Sequence, residues 1–324
     1  MPTYIVTGVA GFIGHWLAAR LLDQGSQVVG LDSLNDAYDP LIKQWRLARL
    51  AGRPGFRFAR LDITDRGSLE EAFKQAKPAA VFHLAARAGA PQSVRQPAAY
   101  IEANAIGTQR VLSACSAHGV KKLVLASTSG VYGAGQRLPL QEGADTDRPR
   151  SPYAASKKAA EALAHAHHNV HRLDVTVLRY FTVYGPAGRP DMSLFRFIRW
   201  IREGQPIILH GTGSQSRDFT YVADVVRGTA AAVGTPGFEV INLGSAAPVA
   251  LLEAVHMIEE CLGRKACIQH ADLHCVDVPA TWADIAKARQ LLNWQPEIQL
   301  RDGIETMVRW YEDNRDWASR LALP

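Results

Sequence analysis

The chain has 324 residues, 47% of them hydrophobic and 21% charged, a formal net charge of +5 and a pI near 9.1. This is the balance of a soluble globular protein and excludes a disordered or fibrous one, and the length suggests two lobes at ~100–200 residues per domain. Basic and acidic residues are interspersed without a run of five basic ones, which argues against nucleic acid as a partner, and no uninterrupted apolar stretch reaches the ~18 residues of a membrane span.

Cys115, Cys261, Cys267 and Cys275 form no C-x-x-C pair, and the apolar start at residues 3–7 lacks the basic leader of an export signal. Reduced thiols in a cytoplasmic chain are therefore expected. That apolar start reads as a first strand. It runs into GVAGFIG, residues 8–14, and then into a helical pattern over residues 12–23. Strand, glycine turn and helix in this order suit a dinucleotide: Gly8, Gly11 and Gly14 permit a tight turn and close backbone approach to pyrophosphate, and Phe12 and Ile13 open the helix whose N-terminus faces the anion. A second strand over residues 27–31 ends at Asp32, 18 residues beyond Gly14. A carboxylate there binds ribose hydroxyls and repels a 2′-phosphate, so NAD is expected over NADP.

A third strand is expected at residues 56–59, followed by Asp62 and Ile63 beside an adenine edge. A fourth, at residues 79–84, leads into HLAARAG, where Leu84, Ala85 and Ala86 let a flat cofactor lie close. His83 reads as a packed histidine. Residues 97–118 read as one long helix, and residues 122–126 as a fifth strand ending in Ser127, Thr128 and Ser129. Strands alternating with helices imply an α/β fold of Rossmann type, a doubly wound parallel sheet whose ligands bind beyond the carboxyl ends of its strands.

In SPYAASKKAAEA, residues 151–162, Tyr153 and Lys157 stand four apart among good helix formers, so both emerge on one face. An ammonium near a phenol favours phenolate, which would let Tyr153 accept an alcohol proton near neutral pH; Thr128 at a strand end would bond the same oxygen. A sixth strand is expected at residues 174–180. FTVYGPAGRPDM, residues 181–192, then breaks regular structure and starts a smaller lobe. Residues 193–203 read as a helix. GTGSQSRDFTYV, residues 211–222, reads as a glycine-rich turn into a strand carrying Arg217. A helix over residues 222–233 and a strand over residues 239–243 would return to the first domain, with helices near residues 251–262, 284–292 and 302–321 completing the second. The expected division is 1–180 with 217–245 as the NAD-binding domain, and 181–216 with 246–324 as the smaller C-terminal substrate lobe. His167 and His171 have i, i+4 spacing, but no carboxylate or cysteine nearby completes a ligand set, so no metal is expected.

Taken jointly, GVAGFIG, Asp32, Asp62, HLAARAG, the Ser127 to Ser129 triplet before GVYG, SPYAASK, LRYFTVYGP and GTGSQSRDFTYV resemble the extended short-chain dehydrogenase/reductases, and within them the nucleotide-sugar 4-epimerases. Residues 31–50 and 180–192 look like UDP-glucuronate 4-epimerases. Thr182 stands where many UDP-glucose 4-epimerases carry Asn. Gly130, and Pro91 where relatives often carry Arg, depart from the pattern and keep UDP-glucose/UDP-galactose epimerisation as the alternative. UDP-glucuronate decarboxylation is less favoured, because no acidic residue stands at Ser129 or Gly130.

The resemblance implies bound NAD, oxidation and reduction at C4 of a UDP-sugar, and Thr128, Tyr153 and Lys157 as the catalytic set, with Tyr153 and Lys157 also touching the cofactor. It implies Ser127, Thr128, Ser129, Thr182, Arg189, Arg217 and Asp277 around the substrate, the two arginines serving the diphosphate. It also implies a homodimer through the helices at 97–118 and 151–168. A catalytically silent NAD-binding regulator is the alternative of a different class, and the intact Thr128, Tyr153 and Lys157 speak against it.

Overall fold

Along the chain of the computed structural model, which describes residues 1–323, the strands β1 (Thr3–Thr7), β2 (Gln27–Asp32), β3 (Phe56–Arg60), β4 (Ala80–His83), β5 (Lys122–Thr128) and β6 (Asp174–Tyr180) come first. After them come β7 (Thr182–Tyr184), β8 (Ile207–His210), β9 (Ser216–Tyr221), β10 (Phe238–Leu243), β11 (Pro248–Ala250), β12 (Ile268–Ala271) and β13 (Ala280–Thr281). The helices in the first half are α1 (Phe12–Asp23), α2 (Pro40–Ala48), α3 (Arg66–Ala76), α4 (Ala90–Arg95), α5 (Pro97–Ile101), α6 (Gly107–Ala117) and α7 (Pro152–His171). The second half adds α8 (Ser193–Glu203), α9 (Val222–Ala231), α10 (Leu251–Leu262), α11 (Ala286–Leu292), α12 (Leu300–Asp313) and α13 (Arg315–Ala318).

Seven strands form one parallel sheet in the order β10-β6-β5-β4-β1-β2-β3. This is the mixed α/β, Rossmann-like architecture that the alternation of patterns predicts. Near-continuous apolar runs such as Leu123 to Leu125 are buried because helices cover both faces. One face packs α1 and α9 through Leu17, Leu21, Val225 and Leu243; the other packs α3, α6 and α7 through Phe73, Val111, Cys115, Ala160 and Ala164. The chain builds outward from β1 to β3, then returns to place β4 on the other side of β1. That reversal opens a crevice at the carboxyl ends of the strands.

A third apolar cluster, around Phe195, Ile198, Val255, Ile304 and Tyr311, joins α8, α10 and α12. Beside it, β9 pairs with β7, β11 and β13, while β10 is the late strand that enters the large sheet.

Two differences from the sequence reading are instructive. The expected long helix at 97–118 is broken in its middle by a π-helical turn, Glu102–Ile106, and the last expected helix divides at Asn314. The short strands β7, β8, β11, β12 and β13 carry no alternation long enough to be seen in the sequence. Among the described residues no helix is long and apolar enough to cross a membrane, no group of three or more metal-ligating side chains assembles, and all four cysteines are free.

Candidate active site

At the β1–α1 turn, Gly8 has φ +72° and lies against the Leu84–Ala85 backbone, where an added Cβ would come within 2.7 Å of the Ala85 nitrogen. Gly14 is tighter still: a methyl group there would meet the Gly8 carbonyl at 2.1 Å. The absence of side chains brings the backbone turn to the surface of a cleft of about 390 Å³ that also exposes the N-terminal end of α1. Asp32 closes the same end. Its carboxylate accepts hydrogen bonds from the Ala10 and Leu34 amides at 3.0 and 2.8 Å, which fixes it facing the turn with lone pairs to spare. A glycine-rich turn, a helix N-terminus and a fixed carboxylate suit the pyrophosphate and ribose of a dinucleotide. Asp62, Ile63, Leu84, Ala85 and Ala86 line the adjoining wall.

Behind that wall, the π-helical turn presents buried Asn104, which accepts from the Arg87 amide at 2.7 Å and donates to the Arg87 carbonyl at 2.9 Å and the Ser156 hydroxyl at 2.8 Å. The extra residue in the turn aims an amide at the loop after β4 and at α7 together. His83 bridges Thr7 and Thr108 through its two ring nitrogens at 2.7 and 3.0 Å, and burial, aided by Lys157, pushes it down to about 3. It is a neutral packed histidine, as read from the sequence.

The far end of the cleft is built by β5 and α7. Ser151 caps α7 by accepting from the Ala154 amide at 3.1 Å, Pro152 fills the first turn, and Tyr153 and Lys157 follow on one face toward Ser127, Thr128 and Ser129. Thr128 accepts from the Gly130 amide at 3.1 Å, which leaves its proton free to donate. The electrostatics differ from the sequence expectation. Burial pushes the Tyr153 phenol up, opposed by the Arg189 guanidinium and the Thr128 hydroxyl; Lys157 does not supply that opposition. Burial also pushes Lys157 down to about 8, with Glu161 opposing it. The desolvation of two groups in an enclosed site outweighs the attraction the four-residue spacing suggests.

Thr182 and Arg189, from the chain after β6, complete the cleft. Arg189 pairs with Asp191 and donates to the Ala88 carbonyl at 3.0 Å, and stays strongly cationic because Asp191 overrides its burial. Arg217 and Asp277 do not line the cleft; they pair with each other at 3.4 Å, and Arg217 also donates to the Ser216 carbonyl at 2.8 Å. All the other residues expected at the site line this one cleft.

Several side chains that shape the site escaped the sequence reading. Lys43 donates to the Asn35 carbonyl and side chain at 2.6 and 2.8 Å, and burial pushes it down to about 8 against the pull of Asp32. Arg46 is fully buried and spends all five N–H groups on the Ala10, Ala187 and Gly188 carbonyls and the Tyr38 hydroxyl. Glu161 and Arg179 form a buried pair beneath Ser127. The amphipathic pattern of α2 gave the only signal for Lys43 and Arg46. For Glu161 the signal was its i+4 spacing from Lys157.

The model of the NAD dependent epimerase/dehydratase family matches residues 4–244. Among curated proteins, the UDP-glucuronate 4-epimerase of Thermodesulfobacterium geofontis is 49% identical over 315 residues, 97% of each chain. Among solved structures, the UDP-glucuronic acid 4-epimerase from Bacillus cereus, in complex with UDP-glucuronic acid and NAD, superposes with a TM-score of 0.91 at 35% identity, covering 96% of this chain and 99% of that one. The UDP-glucose 4-epimerase of Thermotoga maritima, with UDP-glucose, gives 0.90 at 30% identity, covering 97% and 99%.

Proposed function

The chain belongs to the NAD dependent epimerase/dehydratase family, and from that premise we propose that it is an NAD-dependent isomerase that interconverts UDP-glucuronate and UDP-galacturonate. One observation carries the reading: a single cleft has the glycine turn and Asp32 at one end and Thr128, Tyr153 and Lys157 at the other. The glycine turn, Asp32 and Lys157 would hold the NAD, which when bound would supply a hydride acceptor and donor for the sugar C4. Tyr153 as phenolate, the form that the Arg189 charge and the Thr128 hydroxyl favour against burial, takes the proton of the C4 hydroxyl and as the phenol gives it back after the ring has turned. Thr128, whose hydroxyl proton is free, orients that C4 oxygen. Lys157 holds the ribose hydroxyls beside the phenol.

Glucuronate adds a constraint. Its 4-keto form is a β-keto acid that loses CO₂ if the carboxylate bond aligns with the carbonyl, so the site must hold the carboxylate out of line. Ser129 and Thr182, which line the cleft, are the hydroxyls suited to do so. Arg189 serves the sugar diphosphate; Arg217 does so by exchanging Asp277 for a phosphate. We read residues 1–180 with 217–245 as the cofactor domain and the remainder as the sugar lobe. We read the chain as a cytoplasmic homodimer joined through α5, α6 and α7. Half-exposed Ile101 and Ile106 on that surface support this, and sedimentation of the purified protein should give twice the chain mass.

The reading is tested by incubating the protein with UDP-glucuronate and NAD and following products by proton NMR. The C4 epimer is expected. A pentose product would indicate decarboxylation, and conversion of UDP-glucose alone would move the assignment to the neutral hexose.

A further inference from the structure

The stripe of α7 that carries Tyr153 and Lys157 continues, one turn on, to Glu161, so three functional groups stand i, i+4, i+8 along one helix face. Glu161 is buried, 5% exposed, yet ionisable, and its partners account for both oxygens. Arg179 grips it in a fork, Nε to Oε1 at 3.1 Å and Nη2 to Oε2 at 2.8 Å, and Ser127 donates its hydroxyl to Oε1 at 2.5 Å. Ser127 and Arg179 are register partners on β5 and β6. Arg179 is itself held by the Glu142 carbonyl at 3.1 Å and by the Tyr132 ring, 4.8 Å below the guanidinium.

Two consequences reach the cleft. The only proton of Ser127 is committed to Glu161, so toward the cleft Ser127 offers a lone pair and acts as an acceptor. Lys157 makes no side-chain hydrogen bond among the described residues, and a buried lysine without a counter-charge tends to lose its proton. We propose that the Glu161–Arg179 pair is a positioning element for the reaction: Glu161 fixes Ser127 as an acceptor and supplies the negative charge that keeps Lys157 an ammonium. Arg179 holds the Glu161 carboxylate in place in turn. This inference rests on the catalytic assignment above and adds to it residues that touch neither sugar nor cofactor.

The groups facing Lys157 from the packed elements are few. Tyr153 and Glu161 lie on its own helix, and His83 faces it from β4 in neutral form. Arg179 on β6 lies on the far side of Glu161, and Asn104 of the π turn, which reaches the adjacent Ser156, is uncharged. Glu161 is the anion among them.

The test is the titration of Lys157 itself, followed by NMR in protein labelled with ¹³C at the lysine ε-carbon, without sugar, and assigned by the resonance missing from Lys157→Met. The wild-type midpoint is expected near 8. It should fall by about one pH unit in Glu161→Gln and return toward the wild-type value in Glu161→Asp, which retains the charge. Removing one member of a buried ion pair can prevent folding. The double variant Glu161→Gln, Arg179→Met therefore accompanies it and should show the same lowered midpoint. The alkaline limb of kcat should move with the titration. An unmoved midpoint in either folded variant overturns the proposal and leaves the pair a purely structural staple. Because the titration needs no substrate, that outcome is distinct from a wrong UDP-sugar assignment, which product analysis alone reveals.

Discussion

Gly14 leaves no room for a methyl group: an added Cβ would sit 2.1 Å from the Gly8 carbonyl, a backbone atom with no rotamer to change. Gly14→Ala must therefore distort the turn, and titration calorimetry should show NAD affinity reduced by at least ~10-fold, equivalent to ~1.4 kcal/mol. At the other end of the cleft, Tyr153→Phe removes the hydroxyl proposed to exchange a proton with the C4 oxygen while leaving the ring in place against Tyr100, 6.1 Å away. Turnover should fall ~10²–10⁴-fold with NAD binding retained; normal turnover in the variant would remove Tyr153 from the mechanism, whereas no turnover in the unsubstituted protein would return the chain to the class of silent dinucleotide binders. These residues were legible in the sequence because each belongs to a short motif whose spacing states its geometry. Arg179 and Arg46 were not, because their partners lie 18 and 141 positions away and nothing local marks a charge destined for burial.

The strands of the central sheet and the helices α1, α7 and α8 could be read from their patterns, since each buries a face long enough to show its period. The break at Glu102–Ile106 could not. Its residues EANAI suit an ordinary helix, and the wider turn is set by Asn104 reaching both the loop after β4 and α7. Asn104→Ala would remove three hydrogen bonds and leave buried polar groups without partners, at ~1–3 kcal/mol for each group left unsatisfied. Its signature should be an increased Kd for NAD together with a lower urea midpoint, because the loop it fastens lines the cleft proposed for the cofactor. The start of α7 offers a contrasting case. Ser151→Ala deletes the cap on the Ala154 amide and should cost ~1 kcal/mol of stability, read by chemical denaturation, with little change in dinucleotide affinity.

Across the whole molecule, two buried histidines, His15 on α1 and His83 on β4, make stability depend on acid. His15 and His83 are both pushed down to about 3, chiefly by burial, whereas an unfolded chain binds their protons near 6.5. Between these values the unfolded state carries more protons, so stability is present in full above pH ~6.5 and is lost as the pH falls, by up to ~1.4 kcal/mol per unit for each histidine. Urea midpoints measured between pH 6.5 and 5, above the range in which most carboxylates titrate, should decline, and His15→Phe should flatten the decline. An equal slope in the variant would show that other groups carry it.

The architecture of the large sheet was readable from the alternation of elements. The way the loop after β7 joins it was not, because that joint rests on Arg46. Four of its five N–H groups reach the wall that carries the glycine turn, at Ala10, and the wall that carries Arg189, at Ala187 and Gly188. A rivet through both walls does not let a clamshell open, since parting them would strand a cation in a dry interior. Exchange of one sugar nucleotide for the next must then proceed by movement of flaps at the rim around a rigid frame. Small-angle scattering curves recorded with and without ligand should superimpose.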